Sequence, residues 1–155
     1  MTNQHVLEVV DNRLFGELCW LTLRAPELAR QVRPGQYLLV RCAGPGSYDP
    51  LLRRPLFVAA AEETVGQIGL LFAPAERGLA WLARARPGEL IDALGLYGSP
   101  FELVRTTRTL LLLGQGPGLP ALLLLAAQAT QRGCTVTLLA GAPAAALLPP
   151  PFLLF

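Results

Sequence analysis

The sequence predicts a six-stranded antiparallel β-barrel followed by an incomplete β-α-β unit, in a chain of 155 residues. Three observations carry this reading. Residues 1–104 alternate short apolar runs rich in strand formers with Gly, Pro and Asp turn signals. Only one segment there, just before the last run, shows helical spacing. After Phe101 the runs become continuous and apolar, as in strands buried on both faces of a parallel sheet. The change of character predicts two domains, residues 1–104 and 105–155.

Taken in order, HVLEVV and ELCWLTLRA read as the first two strands, with DNRLFG as the turn between them. RPGQYLLVRC opens on a Pro-Gly turn and continues as the third. AGPGSYDPLL is a loop, because Gly, Pro, Ser and Asp punctuate it heavily. RRPLFVAAAE is the fourth strand, ETVGQ a turn and QIGLLFAPA the fifth. GLAWLARA places Leu79, Leu82 and Ala83 on one face of a short helix. RPGELIDALGLYG turns into the sixth strand, and six strands of this kind suit a small closed barrel. TRTLLLLG then reads as a strand and LPALLLLAAQATQRG as a helix, with Pro120 in its first turn and Gly133 at its end. CTVTLLAGA is a second strand, completing one β-α-β unit. The tail PAAALLPPPFLLF has no clear period, and its prolines rule out a long helix.

The composition excludes several classes. Hydrophobic residues are 52% and charged residues 15%, so a membrane reading must be tested. The uncharged stretch Thr109–Gln131 is long enough for about 20 residues of bilayer. It holds Gly114, Gly116, Pro117, Gly118 and Pro120 at its centre, and each interior Pro costs a helix about 3 kcal/mol. A membrane span is therefore not expected. The net charge of +2 comes from scattered basic residues, which argues against a nucleic-acid surface. The N-terminus lacks the basic and apolar regions of a signal peptide, pointing to the cytoplasm. Cys19, Cys42 and Cys134 are far apart in sequence and read as three buried thiols in a reducing compartment. No CxxC spacing offers a metal or cluster site. The only histidine, His5, lies too near the terminus to anchor a catalytic triad.

Three short motifs carry chemistry. GQGPG lies between a strand and a helix, where exposed backbone N–H groups attract anions and glycine permits close approach. Its GxGxG spacing departs from GxGxxG, and a purely structural turn is the alternative. LLRRPLFVA places Arg53 and Arg54 on a strand, where neighbours face opposite ways and only one can address a given ligand. Such an arginine can pair with a diphosphate; the alternative is a solvated pair of arginines. PAERGLAWLA puts Gly78 at a helix start, where N–H groups hold phosphate or simply begin the helix.

The order of PGQY, LLRRPLFVA, IGLLFAPAERGLAWLARARPGELIDALGLYGSPF and LLLLGQGPGLPALLLLA resembles the ferredoxin-reductase-type flavoproteins. The likeness covers about residues 5–142 and is nearest to the electron-transfer subunit of type B dihydroorotate dehydrogenase. It implies a barrel that binds FAD, an α/β domain that binds NAD(H), and electron transfer to a catalytic flavoprotein subunit that oxidises dihydroorotate in pyrimidine biosynthesis. Carried over by residue, the Arg-Pro-x-Ser flavin motif falls on Arg54, Pro55, Leu56 and Phe57. Arg54 would meet the FAD diphosphate, with Leu56 and Phe57 along the isoalloxazine and ribityl chain. Leu71, Phe72 and Ala73 would form the next flavin-lining strand. Gly78 and Leu79 take the place of the Gly-Thr at the phosphate helix, and Gly114, Gly116 and Gly118 would abut the nicotinamide and the flavin edge.

The departures from this pattern shape the expectation. Phe57 stands where the family has serine and Leu79 where it has threonine, so two hydroxyls are replaced by apolar groups. Each lost hydrogen bond costs about 0.5–1.5 kcal/mol, so FAD binding is expected but weakened. The α/β part ends after one β-α-β unit, which implies C-terminal truncation and an incomplete NAD(H) site. The family's cysteine-rich segment is missing from the sequence, so no iron–sulfur cluster is expected from this chain. No side chain reads as a general acid or base; the redox chemistry would belong to the cofactor. The competing expectation is a degenerate, non-catalytic interaction subunit or fragment without cofactor.

Overall fold

The computed structural model describes residues 3–141, so the tail read above as PAAALLPPPFLLF lies outside the described residues. The first part contains β1 (Gln4–Phe15), β2 (Leu18–Arg24), α1 (Pro26–Gln31), β3 (Tyr37–Val40), β4 (Arg54–Glu62), β5 (Gln67–Phe72), α2 (Arg77–Leu82) and β6 (Leu90–Tyr97). The six strands close into an antiparallel barrel in the order β1-β2-β5-β4-β3-β6. Alternation explains the core. Cys19, Leu21 and Leu23 of β2, Leu38 and Val40 of β3, and Ile91 and Ala93 of β6 all point inward and are buried. Leu82 of α2 joins the same cluster, with Leu79 and Ala83 partly buried beside it.

The second part is β7 (Thr109–Gln115), a 3₁₀ turn (Gly116–Gly118), α3 (Leu119–Gln131) and β8 (Thr135–Gly141). β7 and β8 are parallel and in register from Thr109↔Thr135 to Gln115↔Gly141. Helix α3 packs on two sides at once. Leu123 meets Leu18, Ala59 and Leu71 of the barrel wall, and Leu124 enters the barrel's own core cluster. Leu125 and Ala126 pack on Leu112 of β7. A helix between two apolar surfaces must be apolar on most of its circumference. That accounts for the leucine-rich run that also suggested a membrane span. Among the described residues, no helix is long and apolar enough to cross a membrane.

Three local expectations are corrected. DNRLFG is not the first turn: β1 continues through it to Phe15, and the chain reverses at Gly16 and Glu17, with Gly16 at φ 61°. Asn12 gives the physical reason. Its Nδ2 donates to the carbonyls of Ala83 (3.1 Å) and Ala85 (2.8 Å) after α2, while Cys19 Sγ donates to its Oδ1 (2.8 Å). A residue typical of turns is thus held in a strand by tertiary hydrogen bonds. Helix α1 was not anticipated, although Pro26 at its start, Glu27 in its first turn and Arg30 in its last are ordinary helix signals. Finally, β7 is buried on one face only. Leu112 lies under α3, whereas Leu111 (57% exposed) and Leu113 (68%) point away from it, with Leu139 of β8 (53%). Two strands with a helix on one side leave the other face open among the described residues.

Removing the Asn12 bridge tests this account of β1. Asn12→Ala should lose about 1–3 kcal/mol of stability in urea denaturation, because two carbonyls lose their donor. The exposed neighbour Arg13→Ala should change it by no more than about 0.5 kcal/mol. Equal effects would mean that residues 11–15 are not held as described.

Candidate functional site

The site begins where Arg53 and Arg54 diverge at the entry to β4. Arg53 turns to β6: its Nη2 lies 2.7 Å from Asp92 Oδ2 and its Nη1 3.2 Å from Oδ1. Nη1 also donates to the Asp92 carbonyl at 3.1 Å, tying β6 to the start of β4. The Arg53 hydrogen bonds hold the Asp92 carboxyl below its usual range. Arg54 turns the other way, to Glu76. Nε donates to Oε1 and Nη2 to Oε2, each at 2.9 Å, a two-point pair that fits the planar guanidinium. Neither arginine is the solvated side chain of the alternative reading.

Glu76 is also the N-cap of α2. Its Oε1 accepts from Leu79 N at 2.9 Å and its Oε2 from Gly78 N at 3.1 Å. One carboxylate therefore collects the Arg54 fork and two backbone donors. The Arg54 hydrogen bonds, helped by the N–H groups of Leu79 and Gly78, lower its pKa to about 2 against a partial burial that opposes the shift. Gly78 packs closely here. A Cβ at this position would lie 3.0 Å from both Cys42 Cβ and Pro50 Cγ.

Beside this pair lies an apolar cavity of about 390 Å³. It opens between β4, β5, the start of α2 and the glycine turn before α3. Eight of the twelve sequence-predicted residues line it: Pro55, Leu56, Phe57, Leu71, Phe72, Ala73, Leu79 and Gly116. The Phe57 ring is steadied by an edge contact with Tyr37, centroids 5.7 Å apart. The other four predicted residues lie elsewhere. Arg54 and Gly78 belong to the ion-pair cluster just described. Gly114 lies against α3, where a Cβ would come within 2.8 Å of Leu122 Cδ1, so it serves helix–strand packing. Gly118 precedes α3, with open space around its Cα.

The sequence reading missed Leu18, Ala75, Pro117, Leu119 and Pro120 in the cavity wall, and Glu76 beside it. Glutamate is not among the preferred N-cap residues, so no local signal singles out Glu76. The cysteines take no part. Burial pushes the Cys19 thiol up to about 12 and Cys42 to about 11, too high for a reactive thiolate. Cys134 is half-buried rather than buried as expected, and all three thiols are free.

A closed barrel of this strand order, followed by a β-α-β unit whose glycine turn faces the cavity, is the ferredoxin-reductase-type architecture. The structure matches the NADH-dependent reduced ferredoxin-NADP oxidoreductase with a TM-score of 0.80, covering 96% of this chain and 53% of that one at 23% identity. It matches ferredoxin-NADP+ reductase from Plasmodium falciparum with a TM-score of 0.79, covering 98% and 64% at 8% identity. By sequence the chain is similar to the dihydroorotate dehydrogenase B (NAD(+)) electron transfer subunits. It is 35% identical over 144 residues to the subunit of Geobacillus kaustophilus strain HTA426, covering 91% of this chain and 55% of that protein. The chain thus spans about half the length of the curated relatives it matches. No family model matches it.

The cluster around Glu76 should be visible in acid stability. Its pKa in the folded chain, about 2, lies below the ordinary 4.5. Its stabilisation is therefore complete above pH 4.5 and lost as the pH falls towards 2. Both side chains are partly exposed, so Glu76→Gln should cost only about 1 kcal/mol at neutral pH. Urea midpoints of the two proteins should converge as the pH falls through this window; a constant gap would contradict the ion pair.

Proposed function

We propose that this chain holds the isoalloxazine ring of FAD in the apolar cavity and serves flavin-linked electron transfer; the proteins similar to it are named electron transfer subunits. The single observation that carries the reading is the convergence of β4, β5, α2 and the glycine turn on one cavity of about 390 Å³. Its walls are hydrocarbon and aromatic, with no charged side chain among the lining residues, which suits a flat ring. Leu56, Leu71 and Phe72 are buried and fixed in the barrel wall, so they would define its plane by packing. Phe57, Leu79 and Pro117 would exclude water from its edges. Backbone groups must supply any hydrogen bonds to the ring, because the lining side chains offer none.

When bound, the flavin would supply the redox chemistry, taking reducing equivalents from a nicotinamide nucleotide and handing electrons to a partner centre. The residues Gly116 and Pro117 would let that nucleotide approach the cavity mouth. Among the described residues the α/β unit has two strands, β7 and β8. The proposed partner is a catalytic subunit of the dihydroorotate dehydrogenase type, with residues 1–104 as the flavin domain and 105–155 as the nucleotide domain.

A second reading is favoured by one specific observation. Among the described residues, Leu111, Leu113 and Leu139 form an open apolar sheet face, suited to a cofactor-free subunit that binds another protein.

Titration of riboflavin and FAD into the purified chain, followed by flavin fluorescence and Tm, separates the two. The flavin reading expects saturable quenching and a rise in Tm. It also expects Ala73→Trp, which fills the cavity from its wall, to abolish both while the variant remains folded. A chain that binds neither flavin would overturn this reading.

A further inference from the structure

The groups that the family resemblance assigns to a cofactor phosphate are already satisfied by a group of this chain. Arg54 Nε and Nη2, Gly78 N and Leu79 N all end on the Glu76 carboxylate, at 2.9, 2.9, 3.1 and 2.9 Å. Arg54 Nη1 also donates, to the Leu52 carbonyl at 2.8 Å. Glu76 thus occupies the position of an anionic ligand and carries the charge of one. A phosphate arriving here would meet a negative group where it needs donors. The pair also adjoins the cavity: Pro55 follows Arg54, and Ala75 and Leu79 flank Glu76, all three in the cavity wall.

We propose that Glu76 is an internal competitor for the phosphate-binding groups, so that this chain recognises a flavin by its ring and gains nothing from its phosphates while Glu76 is seated. The inference rests on the flavin reading of the cavity. It makes Glu76 the specificity-determining residue between phosphorylated and unphosphorylated flavins. Displacement of its carboxylate, and not a new contact, would open the phosphate site. No titration near neutrality would do this, because Arg54 and the two N–H groups face Glu76 and keep it ionised.

The test compares riboflavin, which has the ring but no phosphate, with FAD. The native chain should bind the two within about threefold of each other. Glu76→Gln should tighten FAD by about tenfold or more and leave riboflavin nearly unchanged, the size of one or more charged hydrogen bonds regained. Glu76→Ser keeps an N-cap oxygen for α2 while releasing Arg54, and should behave alike if the first variant folds poorly. Adding Arg54→Gln to either variant should erase the gain. Inorganic pyrophosphate provides an arm without the ring. Millimolar pyrophosphate should raise the Tm of the folded Glu76 variants and not that of the native chain. If folded variants keep the native FAD-to-riboflavin ratio and ignore pyrophosphate, the proposal is overturned while flavin binding stands. If no flavin binds any of these proteins but pyrophosphate still stabilises only the variants, the competitor role stands and the flavin reading falls.

Discussion

Helix α3 is the element on which the arrangement of the two parts depends. Its leucines are shared between two surfaces: Leu123 and Leu124 with the barrel, Leu125 with β7. Burying one leucine side chain is worth about 1.5–3 kcal/mol, so the contact with the barrel outweighs any single polar contact nearby. The consequence is positional. Once α3 lies on β4 and β5, the turn at Gly116–Gly118 has to stand over Leu71, Phe72 and Ala73. The cavity is the space left between a barrel wall and a helix start that the same packing brings together. Gly114 allows this close approach: a Cβ there would lie 2.8 Å from Leu122 Cδ1 and 3.1 Å from Leu119 Cδ1, so those side chains would have to shift.

The two arginines at the start of β4 show how strand alternation divides labour. Arg53 and Arg54 are adjacent, yet one closes the barrel seam at Asp92 and the other reaches the cap of α2. Arg53 is half-buried and meets its partner at two points as well as a backbone carbonyl, which suits a structural tie. Arg54 has a partner that is also needed by the helix, so its ion pair and the first turn of α2 stand or fall together.

Much of this was legible from sequence because it rests on periodicity and punctuation. All six barrel strands, the short helix with Leu82 inward, and the strand–turn–helix at Gly114–Gly118 follow from residue spacing. What escaped rests on tertiary contact. Asn12 has the composition of a turn, and only the carbonyls of Ala83 and Ala85, far along the chain, keep it in a strand. The apolar run of β7 did not reveal that one of its faces would be open, since hydropathy records what a residue prefers and not what covers it. Of the glycine turn, sequence alone could not separate Gly116, which borders the cavity, from Gly114, which spaces a strand from a helix. Glu76 was hidden for a different reason. Its partner Arg54 lies 22 residues earlier, and no local pattern links them.

The chemistry of the site nevertheless points in one direction. Phe57 and Leu79 are apolar where the resemblance implies hydroxyls, and Glu76 adds a negative charge beside the arginine that the resemblance assigns to a phosphate. Each change alone would read as drift. Together they place a carboxylate-centred cluster, and not a free set of anion donors, beside the hydrocarbon cavity. The cluster is held by the Arg54 fork and two backbone N–H groups that converge on one carboxylate. A ligand that offers a ring meets a surface ready for it. One that offers an anion must first break four hydrogen bonds to a carboxylate that sits in the same chain and therefore at high effective concentration. On the proposed flavin reading, selectivity between the two halves of a flavin nucleotide would follow from that inequality, without any repulsive contact in the cavity itself.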